Sequence, residues 1–164
     1  MKRLILALPL VAVACTTAPA PPRRIAAAAP VPVIAPAPLA PPADWRDRPY
    51  TPGAWHYADH AAAYGSDGTQ PLLVMRCDPT ARTVSLSVAG TMASITLRTS
   101  YAERSWPAQP GTDGRSRISF AAADPALDQI AFSRGRFSLS GPGLAEIDIP
   151  AWAEPSRVIE DCRG

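Results

Sequence analysis

The sequence predicts a mainly β domain, an antiparallel β-sandwich or open barrel, with two short helices, one of them at the C-terminus. Apolar and polar residues alternate with a period of two through three segments, 73–77, 83–88 and 93–98, which is the pattern of half-buried strands. Turn-forming residues separate these segments. Two acidic residues, each followed by proline, mark the starts of helices.

The strand prediction covers eight segments of the chain. In chain order they are 55–57, 61–64, 73–77, 83–88, 93–98, 118–121, 136–140 and 145–149. Short turns separate the third, fourth and fifth segments, so we expect these three to form one antiparallel meander. In the fifth segment we expect Ala93, Ile95 and Leu97 to face the core, because alternate residues of a strand share a face.

Both helix predictions depend on local start signals. Asp124 is a suitable N-cap, Pro125 suits the first helical position, and Gly135 can end this helix. The last helix begins near Pro155. Its spacing places three residues against the core: Val158, Ile159 and Cys162.

The first 42 residues differ in composition from the rest. Residues 1–14 have a basic start and an apolar stretch of 11 residues, which is too short to span a bilayer (~20 residues are needed) and is typical of a signal peptide. Residues 16–42 contain nine prolines in 27 positions, which predicts an extended linker. We interpret this linker as a stalk reaching up to roughly 80 Å. The alternatives are a tail without a specific role and a docking segment for SH3-like domains.

Cys15 follows a run of small residues at the end of the leader, Val11-Ala12-Val13-Ala14. This arrangement resembles the lipobox of bacterial lipoproteins, although Ala12 stands where that family prefers leucine. The resemblance implies that Cys15 is lipidated and that residues 1–14 are removed. Thr16, in place of the aspartate that retains such proteins at the inner membrane, implies anchoring at the periplasmic face of the outer membrane. Ordinary signal-peptidase cleavage and an uncleaved leader are the alternatives.

The β-rich domain, residues 43–164, is mildly acidic. It contains twelve arginines, no lysine and fourteen acidic residues, a surplus of two negative charges. We therefore expect no nucleic-acid partner, because phosphate binding needs a basic face. The absence of lysine also excludes Schiff-base chemistry and a P-loop.

Two cysteines remain in the domain, Cys77 and Cys162. In an oxidising compartment such a pair forms a disulfide, which is the prediction here. A metal or redox pair is the alternative. It is disfavoured because the chain has no Cys-x-x-Cys and no histidine next to either cysteine.

Residues that could perform catalysis are few. His56 and His60 have the spacing of a zinc pair on a helix, but the glutamate of the zinc-protease motif is missing after the first histidine. We interpret both as exposed polar residues. Ser133 does not lie in a nucleophile motif. The sequence therefore predicts no catalytic residue, metal or cofactor, and a protein that is not an enzyme.

Arg134 and Arg136 are candidate contact residues. Two arginines around a glycine could bind a carboxylate or phosphate. The alternative, which we favour, is pairing with acidic residues of the last helix: Glu154, Glu160 and Asp161.

Trp106 is the third candidate contact. Pro107 and Pro110 predict that it lies in a loop, where it could bind a glycan or a protein partner. A place in the core or at its rim is the alternative.

Most of residues 45–163 resemble a group of uncharacterised proteobacterial envelope lipoproteins. The resemblance is carried by Trp55 with Tyr57 and by three segments, 76–78 (RCD), 133–137 (SRGRF) and 157–163 (RVIEDCR). A looser similarity links the domain to small disulfide-bonded β-barrel inhibitors of lysozyme or secreted proteases, whose inhibitory motifs are not recognisable here.

These features together predict a membrane-anchored envelope lipoprotein. We expect its periplasmic domain to be a non-enzymatic binding or structural module with an envelope protein or glycan as partner. An inhibitor of a lysozyme or secreted protease is one alternative. A hydrolase with a non-obvious site is the other.

Overall fold

The computed structural model describes residues 44–66 and 69–164. These residues form two antiparallel β-sheets and two α-helices, one of which ends the chain, so the predicted mainly β class is confirmed. The predictions for residues 1–43, including lipidation of Cys15, lie outside the described residues. In the described part of the chain, none of the helices has the length and apolar character needed to cross a membrane.

The described part of the chain begins with a 3-10 turn, Trp45–Asp47, which is followed mainly by short strands. The elements are β1 Ala54–Ala58, β2 Ala61–Gly65, β3 Leu73–Asp78, β4 Thr83–Ala89, β5 Ser94–Arg98, β6 Glu103–Pro107, β7 Gln109–Pro110, β8 Arg115–Ala121, α1 Pro125–Ala131, β9 Arg136–Gly141, β10 Leu144–Pro150 and α2 Ala153–Arg163.

The strands form a six-stranded sheet, in the order β1-β2-β3-β4-β8-β7, and a four-stranded sheet, in the order β10-β9-β5-β6. One cluster of buried side chains contains residues of both sheets and both helices. Aromatic contacts join the sheets at two places. Trp55 of β1 lies 6.4 Å from Phe137 of β9, and Trp106 of β6 lies 5.1 Å from Phe120 of β8, between ring centroids. These contacts fit the predicted sandwich or open barrel, in which side chains of two sheets share one core.

The predicted three-stranded meander is wrong in its third member. β3 and β4 form the expected hairpin, but β4 then pairs with β8, while β5 lies between β9 and β6 in the other sheet. The chain crosses after Gly90, whose φ of 98° suits glycine. The Met92 amide donates to Ser116 Oγ at 2.8 Å, and Met92 is buried. Ala93, predicted to face the core, is exposed as a result.

Both predicted helices are present. Asp124 caps α1, because its Oδ1 accepts a hydrogen bond from the Ala126 amide at 2.8 Å. α1 ends at Ala131, before the predicted Gly135, which lies in the following turn with a φ of 80°. α2 buries the three residues expected to face the core: Val158, Ile159 and Cys162.

The predicted disulfide joins Cys77 of β3 to Cys162 of α2. The two Cα atoms lie 5.4 Å apart and are separated by 85 positions in the sequence. The end of α2 is also bound beyond the disulfide. Arg163 donates to the carbonyl of Ala122 at 2.8 Å and forms an ion pair with Asp128 at 2.7 Å. The C-terminal helix is therefore attached to β3, to the chain after β8 and to α1.

The N-terminal segment, residues 44–51, is bound to the four-stranded sheet. Arg48 donates to Glu146 at 2.7 Å and to Asp148 at 3.0 Å, both on β10. Arg98 of β5 reaches the other oxygen of Glu146 at 3.1 Å. The Thr51 amide donates to the Asp148 carbonyl at 2.9 Å. The hydrogen bond from Arg48 lowers the pKa of Glu146, and it raises the pKa of Arg48 above its ordinary value.

Candidate functional site

The six-stranded sheet carries an open polar cleft of about 450 Å³, here called the arginine cleft. This volume lies within the range of small-molecule sites, roughly 300–1,000 Å³. Its residues come from β3, β4, β8 and the turn before β8. They are Val74, Arg76, Asp78, Thr83, Ser85, Ser87, Asp113, Arg115, Arg117 and Ser119.

The shape of the cleft follows from the register of three neighbouring strands. Ser85 on β4 lies between Arg76 on β3 and Ser119 on β8. In the next row, Ser87 pairs with Arg117. Cross-strand partners have Cβ atoms only ~4.5–5.5 Å apart, so small serines form a floor and the longer arginines rise beside it.

Among the arginines of the cleft, Arg115 is the one held by several hydrogen bonds to the backbone. Its guanidinium donates to three backbone carbonyls, those of Pro71 at 2.7 Å, Ser87 at 2.6 Å and Leu72 at 3.3 Å. Its Nε is buried and has no hydrogen-bond partner. Burial lowers the pKa of Arg115; Asp113 raises this pKa, and the charge of Arg117 lowers it further.

Arg76 and Arg117 are exposed and retain free donors. Arg117 uses its Nε to donate to Ser87 Oγ at 2.9 Å. Arg76 makes a long contact of 3.5 Å from Nη1 to the carbonyl of Asp59. The remaining guanidinium nitrogens of both side chains have no hydrogen-bond partner within residues 44–66 and 71–164.

Charge in the cleft is unbalanced. Among the described residues, none of its three arginines forms an ion pair, although arginines elsewhere in the domain do. The two cleft acids are occupied by backbone amides. Asp78 accepts from Thr80 and Ala81 at 3.0 Å each, and Asp113 accepts from the Arg115 amide at 3.3 Å. The arrangement can bind a small anion, because guanidinium groups bind carboxylates and phosphates through charge-assisted hydrogen bonds.

The candidate residue Arg136 has a structural position. It is buried, donates to the carbonyl of Arg48 and lies 4.2 Å from the ring centroid of Tyr50. A further contact of 3.5 Å reaches the carbonyl of Trp45. Arg136 therefore binds the N-terminal segment to β9.

Arg134 lies on the other side of the glycine turn and is exposed. In the described part of the chain, neither Arg134 nor Arg136 forms an ion pair with the α2 acids, Glu154, Glu160 or Asp161, so the predicted pairing is wrong. Arg136 donates instead to backbone carbonyls of the N-terminal segment. The role of Arg134 in binding stays a prediction.

A second surface surrounds the turn at residues 132–135. This turn is bound to residues 99–102, because the Ser100 amide donates to Ser133 Oγ and the Arg134 amide donates to Ser100 Oγ, each at 3.0 Å. Tyr101 and Phe132 line an apolar depression of about 190 Å³ here and are 57% and 67% exposed.

Two further exposed aromatic residues lie on segments that meet the same turn. The Tyr50 hydroxyl donates to the Gly135 carbonyl at 3.2 Å, and the residue before Trp152 donates its amide to that carbonyl at 3.1 Å. We call this surface the aromatic rim; it consists of Tyr50, Tyr101, Phe132, Arg134 and Trp152.

Trp106 does not lie in a loop, so that prediction is wrong. It belongs to β6, is half-buried, and packs edge-to-face on Phe120 with an interplanar angle of 87°. β6 and β7 are edge strands, where prolines such as Pro107 and Pro110 are tolerated because one side of the strand needs no amide donors. The role of Trp106 as a contact residue stays a prediction.

The two histidines occupy the first hairpin. His56 is exposed on β1, and His60 lies in the turn with its Nδ1 3.4 Å from Asp161 Oδ2. Tyr57 donates to the same carboxylate oxygen, which is the main cause that lowers the pKa of Asp161. Within residues 44–66 and 71–164, no serine or threonine hydroxyl is hydrogen-bonded to either imidazole. The described residues contain no group of three or more His, Cys, Asp or Glu that could bind a metal.

The sequence interpretation missed the arginine cleft. The available signal was the alternation in residues 115–119, which places Arg115, Arg117 and Ser119 on one face, together with Ser85 and Ser87 on another strand. Comparisons with protein-family models, with curated proteins and with solved structures found no match.

Proposed function

We propose that this chain is an exported, lipid-anchored envelope protein whose domain is a non-enzymatic binding module, with the arginine cleft as its binding site. The observation that carries the proposal is the set of arginines without ion-pair partners, Arg76, Arg115 and Arg117, beside a floor of serines. Three arginines against two aspartates leave the cleft with a surplus of positive charge, which favours an anionic ligand.

Two features support the location outside the cytoplasm. The Cys77–Cys162 disulfide suits an oxidising compartment. This pairing leaves Cys15 as the remaining cysteine, at the position where the lipobox resemblance implies lipidation. Two or three acyl chains would give the persistent anchoring that one chain cannot provide. We place the anchor in the outer membrane because of Thr16.

The anchor is tested by labelling cells with radioactive palmitate. We expect label on the wild-type chain and none on Cys15→Ser. An unlabelled wild-type chain contradicts the proposed anchor and leaves the binding site to its own test.

The binding role is tested by chemical crosslinking in intact envelopes. We expect an envelope component that crosslinks to the wild-type chain and is lost from the double variant Arg76→Gln/Arg117→Gln. The control is Arg104→Gln, which makes the same type of substitution at one exposed position on β6 outside the cleft; it is compared with the double variant and with each single cleft variant. A crosslinking pattern that is identical in all of these proteins contradicts the proposed site.

An inhibitor of a lytic enzyme is the second candidate, and the aromatic rim favours it. Exposed Tyr, Phe and Trp side chains beside Arg134 have the composition of protein-interface hot spots. This candidate predicts inhibition of a lysozyme or secreted protease by the wild-type chain and weaker inhibition by Phe132→Ala. A flat dose response excludes the enzyme tested.

The hydrolase alternative gains no support from the histidines. The His60 imidazole is 59% exposed and contacts Asp161. It has no hydroxyl nucleophile bonded to it within residues 44–66 and 71–164.

A further inference from the structure

We infer that the arginine cleft binds an acidic sugar, a carboxylate or phosphate carried on a ring with several hydroxyl groups. The inference rests on the proposed binding role and adds the chemical class of the ligand. Its support comes from the two kinds of polar group that the sheet register places in one cavity.

The first kind is the pair of accessible guanidinium groups. Arg76 on β3 and Arg117 on β8 are separated by one strand, β4, and lie in adjacent rows of the sheet, so their Cα atoms are about 12 Å apart. Arginine side chains extend over much of that distance, and both can contact one oxyanion placed between them. Each guanidinium can donate two parallel hydrogen bonds to a carboxylate or phosphate.

The second kind is the hydroxyl floor. Ser85, Ser119 and Thr83 present hydroxyls from neighbouring positions of β4 and β8. A hydroxyl both donates and accepts hydrogen bonds, as the hydroxyls of a sugar ring do. A bare oxyanion has no donors and would leave the acceptor capacity of this floor unused.

The surroundings restrict the size and charge of the ligand. At about 450 Å³ the cleft suits a small molecule or one end of a chain. Asp78 and Asp113 also line the cleft, and their charges oppose a polyanion long enough to pass both of them. The domain as a whole carries a surplus of negative charge, which also disfavours nucleic acid.

Arg115 contributes a fixed positive charge. Both of its Nη atoms donate to backbone carbonyls, which hold the guanidinium in place. The positive charges of Arg115 and Arg117 repel each other. An oxyanion bound by Arg117 relieves this repulsion. The bound anion therefore gains from an arginine that it need not contact directly.

The test is isothermal titration of the full chain in detergent with four probes: glucuronate, glucose 1-phosphate, glucose and inorganic phosphate. We expect both acidic sugars to bind more tightly than glucose or inorganic phosphate. Their affinity should fall as the salt concentration rises, because the attraction is electrostatic. Arg76→Gln and Arg117→Gln should each weaken binding of the acidic sugars by about ten- to a hundredfold.

Two variants keep the result interpretable. Arg104→Gln should bind like the wild type, since it removes a charge outside the cleft. Ser119→Ala should weaken binding of the acidic sugars and leave binding of inorganic phosphate unchanged. Circular dichroism and thermal melting of each variant show that it is folded.

Three results would overturn the inference. They are the absence of binding of both acidic sugars, binding that Arg76→Gln and Arg117→Gln leave intact, and inorganic phosphate binding as tightly as glucose 1-phosphate. Failure of this inference is distinguishable from failure of the proposed function. An envelope component that still crosslinks through the cleft, with no acidic sugar bound, removes the ligand class and keeps the binding role.

Discussion

Removal of the disulfide should cost this domain a large part of its stability. The bond closes a loop across 85 positions of the chain. A chain-entropy treatment of a loop of that length gives about 4.5 kcal/mol of stabilisation, mainly by restricting the unfolded chain. We therefore expect Cys77→Ala/Cys162→Ala to lose about that much free energy of unfolding, which is a lowering of the melting temperature by roughly 15–20 °C.

The assay is urea unfolding followed by far-ultraviolet circular dichroism, with and without a reducing agent. The wild type under reduction should match the double variant, while the double variant should not respond to reduction. The dependence of the unfolding free energy on urea should also steepen, because an unfolded chain without the crosslink exposes more surface. Cys15→Ser serves as the control and should unfold like the wild type.

A loss below about 1 kcal/mol, with an unchanged urea dependence, would refute the reasoning. It would mean that the unfolded chain keeps residual structure that already restricts it as the bond does.

Three further predictions follow from individual contacts. Arg136→Lys should lower the free energy of unfolding by about 1–3 kcal/mol in urea melts, because the guanidinium bonds to the Arg48 carbonyl and the packing on Tyr50 are lost; an unchanged midpoint would contradict this role. Asp124→Ala should cost about 1 kcal/mol by the same measurement through loss of the α1 cap, and Asp124→Asn should retain most of it. Glu146 should make stability pH-dependent: the hydrogen bond from Arg48 lowers the folded pKa of Glu146 below the ordinary value of a glutamate, so its stabilisation is present above that ordinary pKa and is lost as the pH falls through the folded pKa. Unfolding measured between pH 6 and 3 should become less pH-dependent in Glu146→Gln, and an identical slope in both proteins would count against this linkage.

Local sequence patterns predicted which residues of β3 and β4 face the core. Leu73, Met75 and Cys77 of β3 are buried as expected, and so are the apolar residues of segment 83–88 in β4. This succeeds because the geometry of a strand fixes the direction of each side chain within a few residues. The Asp124-Pro125 pair predicted the start of α1 for the same reason, since a helix cap is a local structure.

Local sequence patterns did not predict which strands pair with each other. The turn near Gly90 has residues that suit a hairpin equally well, yet the chain passes to the other sheet. The deciding contacts come from distant residues, among them Ser116, whose hydroxyl binds the amide and carbonyl of Met92. A sequence pattern of two adjacent segments does not contain this information.

The arginine cleft was missed for a related reason. Its residues extend from Val74 to Ser119 on three strands, and they adjoin only because β8 pairs with β4. Arg134 and Arg136 were predicted to be contact residues because they are close in sequence. The structure separates them, and one of the two is buried.

The binding of residues 44–51 to the four-stranded sheet determines how the domain responds to mechanical force. Tension applied to the chain ahead of Asp44 first meets the bonds of Arg136 and Arg48, which attach this segment to β9 and β10. β1 is an edge strand of the opposite sheet and pairs only with β2, so direct pulling would separate it one hydrogen bond at a time. Because residues 44–51 are held by several contacts, the force is shared among these contacts before it reaches β1. If the chain is tethered by its N-terminal side, as proposed, a pull on the tether reaches these contacts before it reaches the strands that form the arginine cleft.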